Sequence, residues 1–463
     1  WNPPTSGPNR AIVGLQKIRD RSHDNVRNEW TGASSVQKWA TTLVGIGIVP
    51  RFKRIKVKER KQQLTDQWDD FVAASDADGV LNLYGQMTLT VRGWFDGGEM
   101  FIRRRARSLD AGYPVPLQVQ LLEAEFVPML DATTYTGLPP GNEIRSGIEF
   151  DKRGQRIAYW MYKSHPNDPQ NFGRGANPEQ LIRVPARDVI HLFEPKRAGQ
   201  IRGVPESAPI LTQVREIGNY RDAVLLRQQL SNLFVAFLTR KTGNEDDETD
   251  PLTGRSIKGT FDKPIAGMTP GIIQELEDGQ DVKFANPPEA GTTFSDYLRT
   301  ELLGPAAGQG LPYELFSGDI REVSDRTLRI VINEFRRLAE QRQWQILIPM
   351  LCRGVLNWWV EASVLASTIT LDEVNDVRRA EWSPHGWAPI HPVQDPTGQQ
   401  IEIDMGVRSR SSVIAAKGDD PDDVDDERQA DDERERALKI GPYSEGAKQK
   451  AAAKQKFGQL PTP

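Results

Sequence analysis

Reactive side chains are sparse in these 463 residues, which hold five histidines and a single cysteine, Cys352. His385 and His391 flank Gly-Trp-Ala-Pro-Ile and together offer a metal pair. Zinc would want a third and fourth ligand, and a proline-rich loop equally suits surface or packing histidines. One cysteine forms neither an internal disulfide nor a cysteine zinc cluster, which fits a reducing compartment. Nucleotide chemistry fares no better. No G-x-x-x-x-G-K-[ST] run cradles a triphosphate, and Gly45-Ile46-Gly47 starts a dinucleotide fingerprint without its third glycine or following helix. Neither G-x-S-x-G nor H-E-x-x-H occurs. The patterns predict no catalytic residue, no metal ligand and no cofactor.

Charge is the remaining resource. The run Asp419–Glu435, "DDPDDVDDERQADDERE", lacks the glycine and the spaced oxygens of a calcium loop. It reads instead as a helix in which Asp420 caps, Pro421 fits the first turn, and Asp422 and Asp423 favour the helix dipole. Arg51 to Lys61 alternates basic residues with Phe52, Ile55 and Val57, which suits a half-exposed strand or a phosphate contact. At most two of Arg103, Arg104 and Arg105 share a strand face, for ion pairs between subunits or for DNA. Residues 1–240 carry 33 Lys and Arg against 25 Asp and Glu, whereas the remainder carries 26 against 39. The halves therefore face different partners, and neither is basic enough for a simple nucleic-acid binder.

The elements that would position these groups follow from periodicity. Hydrophobic content is 38% and mean hydropathy −0.55, low for a compact enzyme, and the length implies more than one domain. No signal peptide opens this numbering. Trp344 to Ala366, the most apolar stretch, is interrupted by Pro349, Arg353, Asn357 and Glu361, so the chain reads as soluble and intracellular. Residues 11–47 read as helical, 51–60 as a strand, 64–76 and 81–98 as helices around Gly79. Strands then dominate to residue 195, including a hairpin turned at Lys152–Gly154, and this part is α+β. Pro205 to Leu238 repeats Ile210, Val214, Ile217, Val224 and Phe234 at helical spacing. A polar insert follows. A shorter helix starts at Thr292 or Thr293, with Asp296 placed as in a capping box. Ser324 to Ile348 is a long helix, stopped or kinked at Pro349.

"GQIRGVPESAPIL" at 199–211, "VKFANPPEAGTTF" at 282–294 and "GLPYELFSGD" at 310–319 resemble successive signatures of the lambda-type tailed-phage portal proteins. "RNEWTGASSVQKWATTLVGIGIVPRF", "GIEFDKRGQRIAYW", "VIHLFEPKRAGQ" and "WSPHGWAPIHPVQD" are similar to further parts of that family, in order, over about residues 11 to 430. Glu206 and the short, charged "IREVSDRT" depart from its pattern. The resemblance implies an α+β portal fold assembled as a dodecameric ring at one capsid vertex of the virion, put together in the host cytoplasm. It places a wing at 11–204 and 311–375, stem helices at 205–239 and 292–310, the clip at 240–291 and a helical crown at 376–438. Composition, rather than the resemblance, marks a flexible proline-rich opening at 1–10 and a disordered, low-complexity basic tail at 439–463. Implied partners are further copies of the chain, double-stranded DNA, the terminase large subunit, a head–tail adaptor, and the major capsid or scaffolding protein, with no membrane.

Two sites follow from the resemblance. The loop Ile320, Arg321, Glu322, Val323 and Ser324 is expected at the channel constriction, with Arg321 and Glu322 pairing between neighbours. Asn244, Glu245, Asp246, Asp247, Glu248 and Asp250 are expected on the clip's docking surface. Another ring-forming capsid or tail protein, or an enzyme of nucleic-acid processing, are the rival readings.

Overall fold

Glu29 interrupts what periodicity alone reads as one helix. The computed structural model, which describes residues 6–168, 181–233, 237–240, 252, 280–283, 293–321, 323–438 and 440, has α1 at Leu15–Asn28 and α2 at Trp30–Val44, with Glu29 extended between them. Strand β1 (Val49–Arg51) follows. The alternating basic strand expected over 51–60 stops there: only residues 49–51 find a partner strand, and helix α3 begins at Lys58 and runs to Ala74. Helix α4 (Leu83–Gly97) opens on Asn82, whose side chain accepts from the Gly85 amide at 2.8 Å.

Seven strands come next: β2 (Glu99–Ala106), β3 (Leu117–Glu123), β4 (Glu143–Arg145), β5 (Ile148–Phe150), β6 (Arg156–Tyr162), β7 (Leu181–Pro185) and β8 (Val189–Phe193). They form two antiparallel sheets, ordered β3-β2-β8 and β4-β5-β6-β7. Phe101 and Leu122 from the first sheet share one apolar cluster with Ile148, Tyr159, Met161 and Val184 from the second. This part is mixed helix and sheet, as the period-2 runs predict. Ser6–Asn9 are held rather than loose: Asn9 bonds Gly199 and the Ile201 amide, and Arg197 donates to the carbonyls of Ser6 and Gly7. A proline-rich segment makes no ladder of its own, but its carbonyls remain good acceptors.

The chain divides into two compact units, one of residues 1–211 with 306–463, the other of residues 212–305. In the second, α5 (Leu211–Leu233) is shorter than the helix expected from Pro205. Pro205 and Pro209 leave only turns before it, and Phe237–Arg240 form strand β9, paired antiparallel with β10 (Gln280–Lys283). Aromatic and β-branched residues with a partner strand favour the ladder over a longer helix. Phe234 lies outside the described residues. Helix α6 (Thr293–Gly308) meets α5 through Tyr220, whose ring lies 6.0 Å from Phe294 and 4.9 Å from Tyr297.

Helix α7 (Tyr313–Ser317) and helix α8 (Asp325–Arg342) return to the first unit. Pro349 neither stops nor ends the long helix. Gln343–Cys352 widen to a π-helix, Arg353 donates to Ile348, and α9 (Arg353–Leu365) continues. The wider turn accommodates a ring that lacks a donor and crowds the preceding carbonyls. Cys352 is buried here, its thiol pushed well above the usual range by burial. Trp359 of α9 packs on Phe52 and Trp68. After α10 (Val374–Arg378), strand β11 (Glu381–Ser383) pairs with β1, and three helices follow: α11 (Gln394–Asp404), α12 (Arg410–Ala416) and α13 (Pro421–Leu438). No helix among the described residues is long and apolar enough to cross a membrane.

Candidate functional site

The loop after α7 is built by short-range hydrogen bonds. Gly318 closes α7 in the left-handed region at φ 74°, donating to Glu314, a conformation glycine adopts without strain. Asp319 then folds the loop on itself. Its carboxylate accepts from the Arg321 amide at 3.1 Å and from the Arg321 guanidinium at 2.9 and 2.8 Å. Ser324 caps α8, accepting from the Thr327 amide at 3.1 Å. Ile320 is 73% exposed. Arg321 is thus engaged inside its own loop by Asp319, a partner that sequence reasoning passed over although it stands two residues away. Glu322 lies outside the described residues, as do Asn244, Glu245, Asp246, Asp247, Glu248 and Asp250.

The other charged groups sort into buried and exposed sets. Glu99 is fully buried and is the hub of the first. One oxygen meets Arg19 and, at 2.7 Å, Arg202; the other meets His191 at 2.8 Å and the Gly203 amide at 2.7 Å. Arg202 also donates to the carbonyls of Ser146, Ala124 and Val127. Desolvation opposes charge on Glu99, yet the two guanidiniums hold its carboxyl well below the usual range. Burial pushes His191 down to about 4. Arg156 donates to its Nδ1, so the neutral ring carries its proton on Nε2 and gives it to Glu99. Arg202 and Gly203 belong to "GQIRGVPESAPIL", and the packing explains their types. A Cβ on Gly203 would lie 2.0 Å from the Gly98 carbonyl oxygen. Nothing in the sequence links Glu99 to Arg202, 103 residues away.

His23 forms a second, half-buried set. Its ring meets Asp96 at 2.8 Å and Glu125 at 3.3 Å, and the Asp96 bond first, then Glu125, raise it to about 10. Glu123, Glu125 and His165 place ligand atoms within 4.8 Å of one another. There His165 Nδ1 accepts from the Asn167 amide, which puts the ring proton on Nε2, facing Glu123 at 3.2 Å. That geometry is a polar contact of a neutral ring; a metal-bound ring would instead donate from its second nitrogen. His385 packs edge-on against Trp387, and His391 Nδ1 accepts the Gln394 amide at 2.9 Å at the start of α11. These two serve packing and capping.

The remaining set, which runs from the shielded Lys61–Asp420 pair to the exposed Lys58–Asp426 pair, joins the basic segment to the acidic helix. Lys61 meets Asp420 and Asp422 at 3.1 Å, Lys58 meets Asp426, Arg51 donates to the Gly418 carbonyl, and Lys53 meets Glu381 at 2.6 Å. Asp420 caps α13 by accepting the Asp422 amide at 3.0 Å, as its place before Pro421 predicts. Arg104 of β2 pairs within the chain, with Glu361 at 2.7 Å.

Comparison with known proteins follows the same ground. The family model described as phage portal protein, lambda family, matches residues 1–343. A protein of Halomonas phage phiHAP-1 named "Probable portal protein" is 27% identical over 334 residues, 70% of this chain; the chain spans 61% of that relative's length. Portal protein B of Escherichia phage lambda is 19% identical over 92% of this chain and 85% of its own. A solved chain from the neck of a native GTA particle superposes with a TM-score of 0.49 at 14% identity, over 90% of this chain and 96% of that one.

Proposed function

The chain belongs to the lambda family of phage portal proteins, and we propose that it acts as one subunit of a dodecameric ring at a single capsid vertex. The ring is the channel for DNA packaging and ejection, and a platform for the terminase large subunit and then a head–tail adaptor. In this reading α5 and α6 are stem helices, the insert between β9 and β10 is the clip, residues 318–324 border the channel, and α11–α13 belong to the crown. The observation that carries it is the family match over residues 1–343, which includes the loop, both stem helices and the whole insert.

Exposed apolar side chains support self-association. Leu225 and Leu226 on α5 and Tyr297 and Leu303 on α6 are each between 47% and 58% exposed, more than a lone subunit needs to leave to water. A neighbouring copy would cover them, and closed rings are the usual outcome of identical head-to-tail contacts. The polar insert suits a docking surface, with Asn244 to Asp250 supplying acidic contacts, and needs no chemistry of its own. Light scattering of the purified chain, with negative-stain micrographs, tests the reading. Rings of about twelve subunits are expected; monomers alone under assembly-permitting salt would overturn it. Deleting residues 243–254 then separates clip from ring: rings should persist while packaging stops.

A further inference from the structure

Residues 51–61 hold seven Lys and Arg, enough to bind several phosphates, yet most are already met by carboxylates from distant parts of the chain. Lys58 and Lys61 face α13, Lys53 faces β11, and Arg60 forks Glu373 with two 2.8 Å bonds. Arg54 and Lys56 are exposed, with no ion pair among the described residues.

The cover over this strip is unlike a structural contact. α13 buries none of its residues fully, and Pro421 and Val424 are its only half-buried apolar side chains. An open cavity of about 630 Å³ lies beside the pairs, with Lys53, Lys56, Lys58 and Lys61 on one wall and Asp420, Asp422, Asp423, Asp425 and Asp426 on the other. The acids crowd one another. Burial, then the neighbouring Asp420, raises the Asp423 carboxyl above its ordinary value. The Lys58–Asp426 pair is exposed, and such pairs are weak and screened by salt, whereas the Lys61–Asp420 pair is largely shielded and holds the start of the helix. A rod of carboxylates seated weakly on a row of lysines occupies the place that a phosphate backbone would take.

We propose that residues 53–61 form a binding strip for the phosphates of double-stranded DNA, and that α13 covers the strip until a duplex displaces it. The strip offers Val57 as its one exposed large apolar side chain, too little for an interfacial membrane anchor, so DNA is the partner it fits. The inference goes beyond passage of DNA through a ring and does not depend on assembly.

Fluorescence anisotropy with a labelled duplex of about 30 base pairs at low salt tests it on the full chain. Asp420→Asn, Asp422→Asn and Asp426→Asn together should tighten binding about tenfold and give a steep salt dependence, because the freed lysines release counterions. Asn still caps a helix, so α13 keeps its start. Asp431→Asn, Asp432→Asn and Glu433→Gln, an equal charge change farther along α13, should alter binding by less than about twofold. Adding Lys53→Gln, Lys56→Gln, Lys58→Gln and Lys61→Gln to the first triple variant should return it to the parental affinity. Equal tightening in both triple variants, or tightening that survives loss of the lysines, would overturn the proposal. So would binding of the first variant to phosphatidylserine vesicles and not to the duplex.

Discussion

Glu99 and Asp420 are both carboxylates met by cationic side chains, and the resemblance ends there. Glu99 sits in full burial with both oxygens doubly bonded, between α1, β2, β8 and the segment leading to Pro205. Asp420 sits at a rim where its partner Lys61 is shared with the exposed Asp422. In the first region water is absent, so each charge is committed to a fixed geometry and removing one partner strands the rest. In the second, water and salt compete for the outer contacts, such as Lys58 with Asp426, so these pairs can be exchanged at small cost. Carboxylates paired with cations build a lock in one place and an exchangeable rim in another. Solvent decides which.

Breaking the hub of the first region should have the largest effect. Glu99→Gln leaves Arg19 and Arg202 buried without a counter-charge, and should destabilise the chain by about 3–5 kcal/mol in urea unfolding. Next comes the backbone crossing beside it. Gly203→Ala forces a methyl against the Gly98 carbonyl and should cost about 1–3 kcal/mol, read as a lowered thermal midpoint. If Gly203→Ala is neutral, the segment there is softer than the buried network implies.

The two histidines sharpen the comparison through pH. His191 is held neutral, with its value lowered to about 4. Its contribution is present above the ordinary histidine value of about 6.5 and is lost as pH falls from there towards 4. His23 is raised to about 10, so its contribution is present below about 6.5 and is lost as pH rises towards 10. Unfolding midpoints measured across this range should fall at both ends, and His23→Gln should flatten the alkaline limb alone. The smallest change belongs to the rim. Lys58→Gln should leave the unfolding midpoint nearly unchanged, and any shift should vanish in high salt. A larger loss would mean that α13 is a structural brace.

Much of the fold was legible because its signals are local. The alternation in β5 and β6 and the Asp151–Gly154 turn need only neighbours in sequence, and so do the Ser324 and Asp420 caps. Most of the misreadings involve a distant partner. Residues 51–60 alternate like a strand, but β11 pairs with only the first of them, while Lys58 turns to α13 and Arg60 to Glu373. Phe237 and Leu238 continue a helical pattern, but β10 draws them into a ladder. Pro349 should have broken a helix, and a widened turn absorbed it. The Glu99 hub was invisible for the same reason: burial and a long loop closure bring it together, and neither appears in a motif. Ile320 to Ser324 were placed between two helices correctly, yet the Asp319 fork on Arg321 was missed because a partner was sought on another subunit.

Cys352 sits deep beneath α9, and burial holds its sulfur as an unreactive thiol. Maleimide dyes should therefore leave the folded chain unlabelled. One cysteine introduced at Ile320, the most exposed apolar position of the loop, becomes a unique handle for fluorophores, spin labels or crosslinkers, with no need to remove the native thiol. Distances between copies of that single label would report the opening of an assembled ring directly, in a protein already prepared for the measurement.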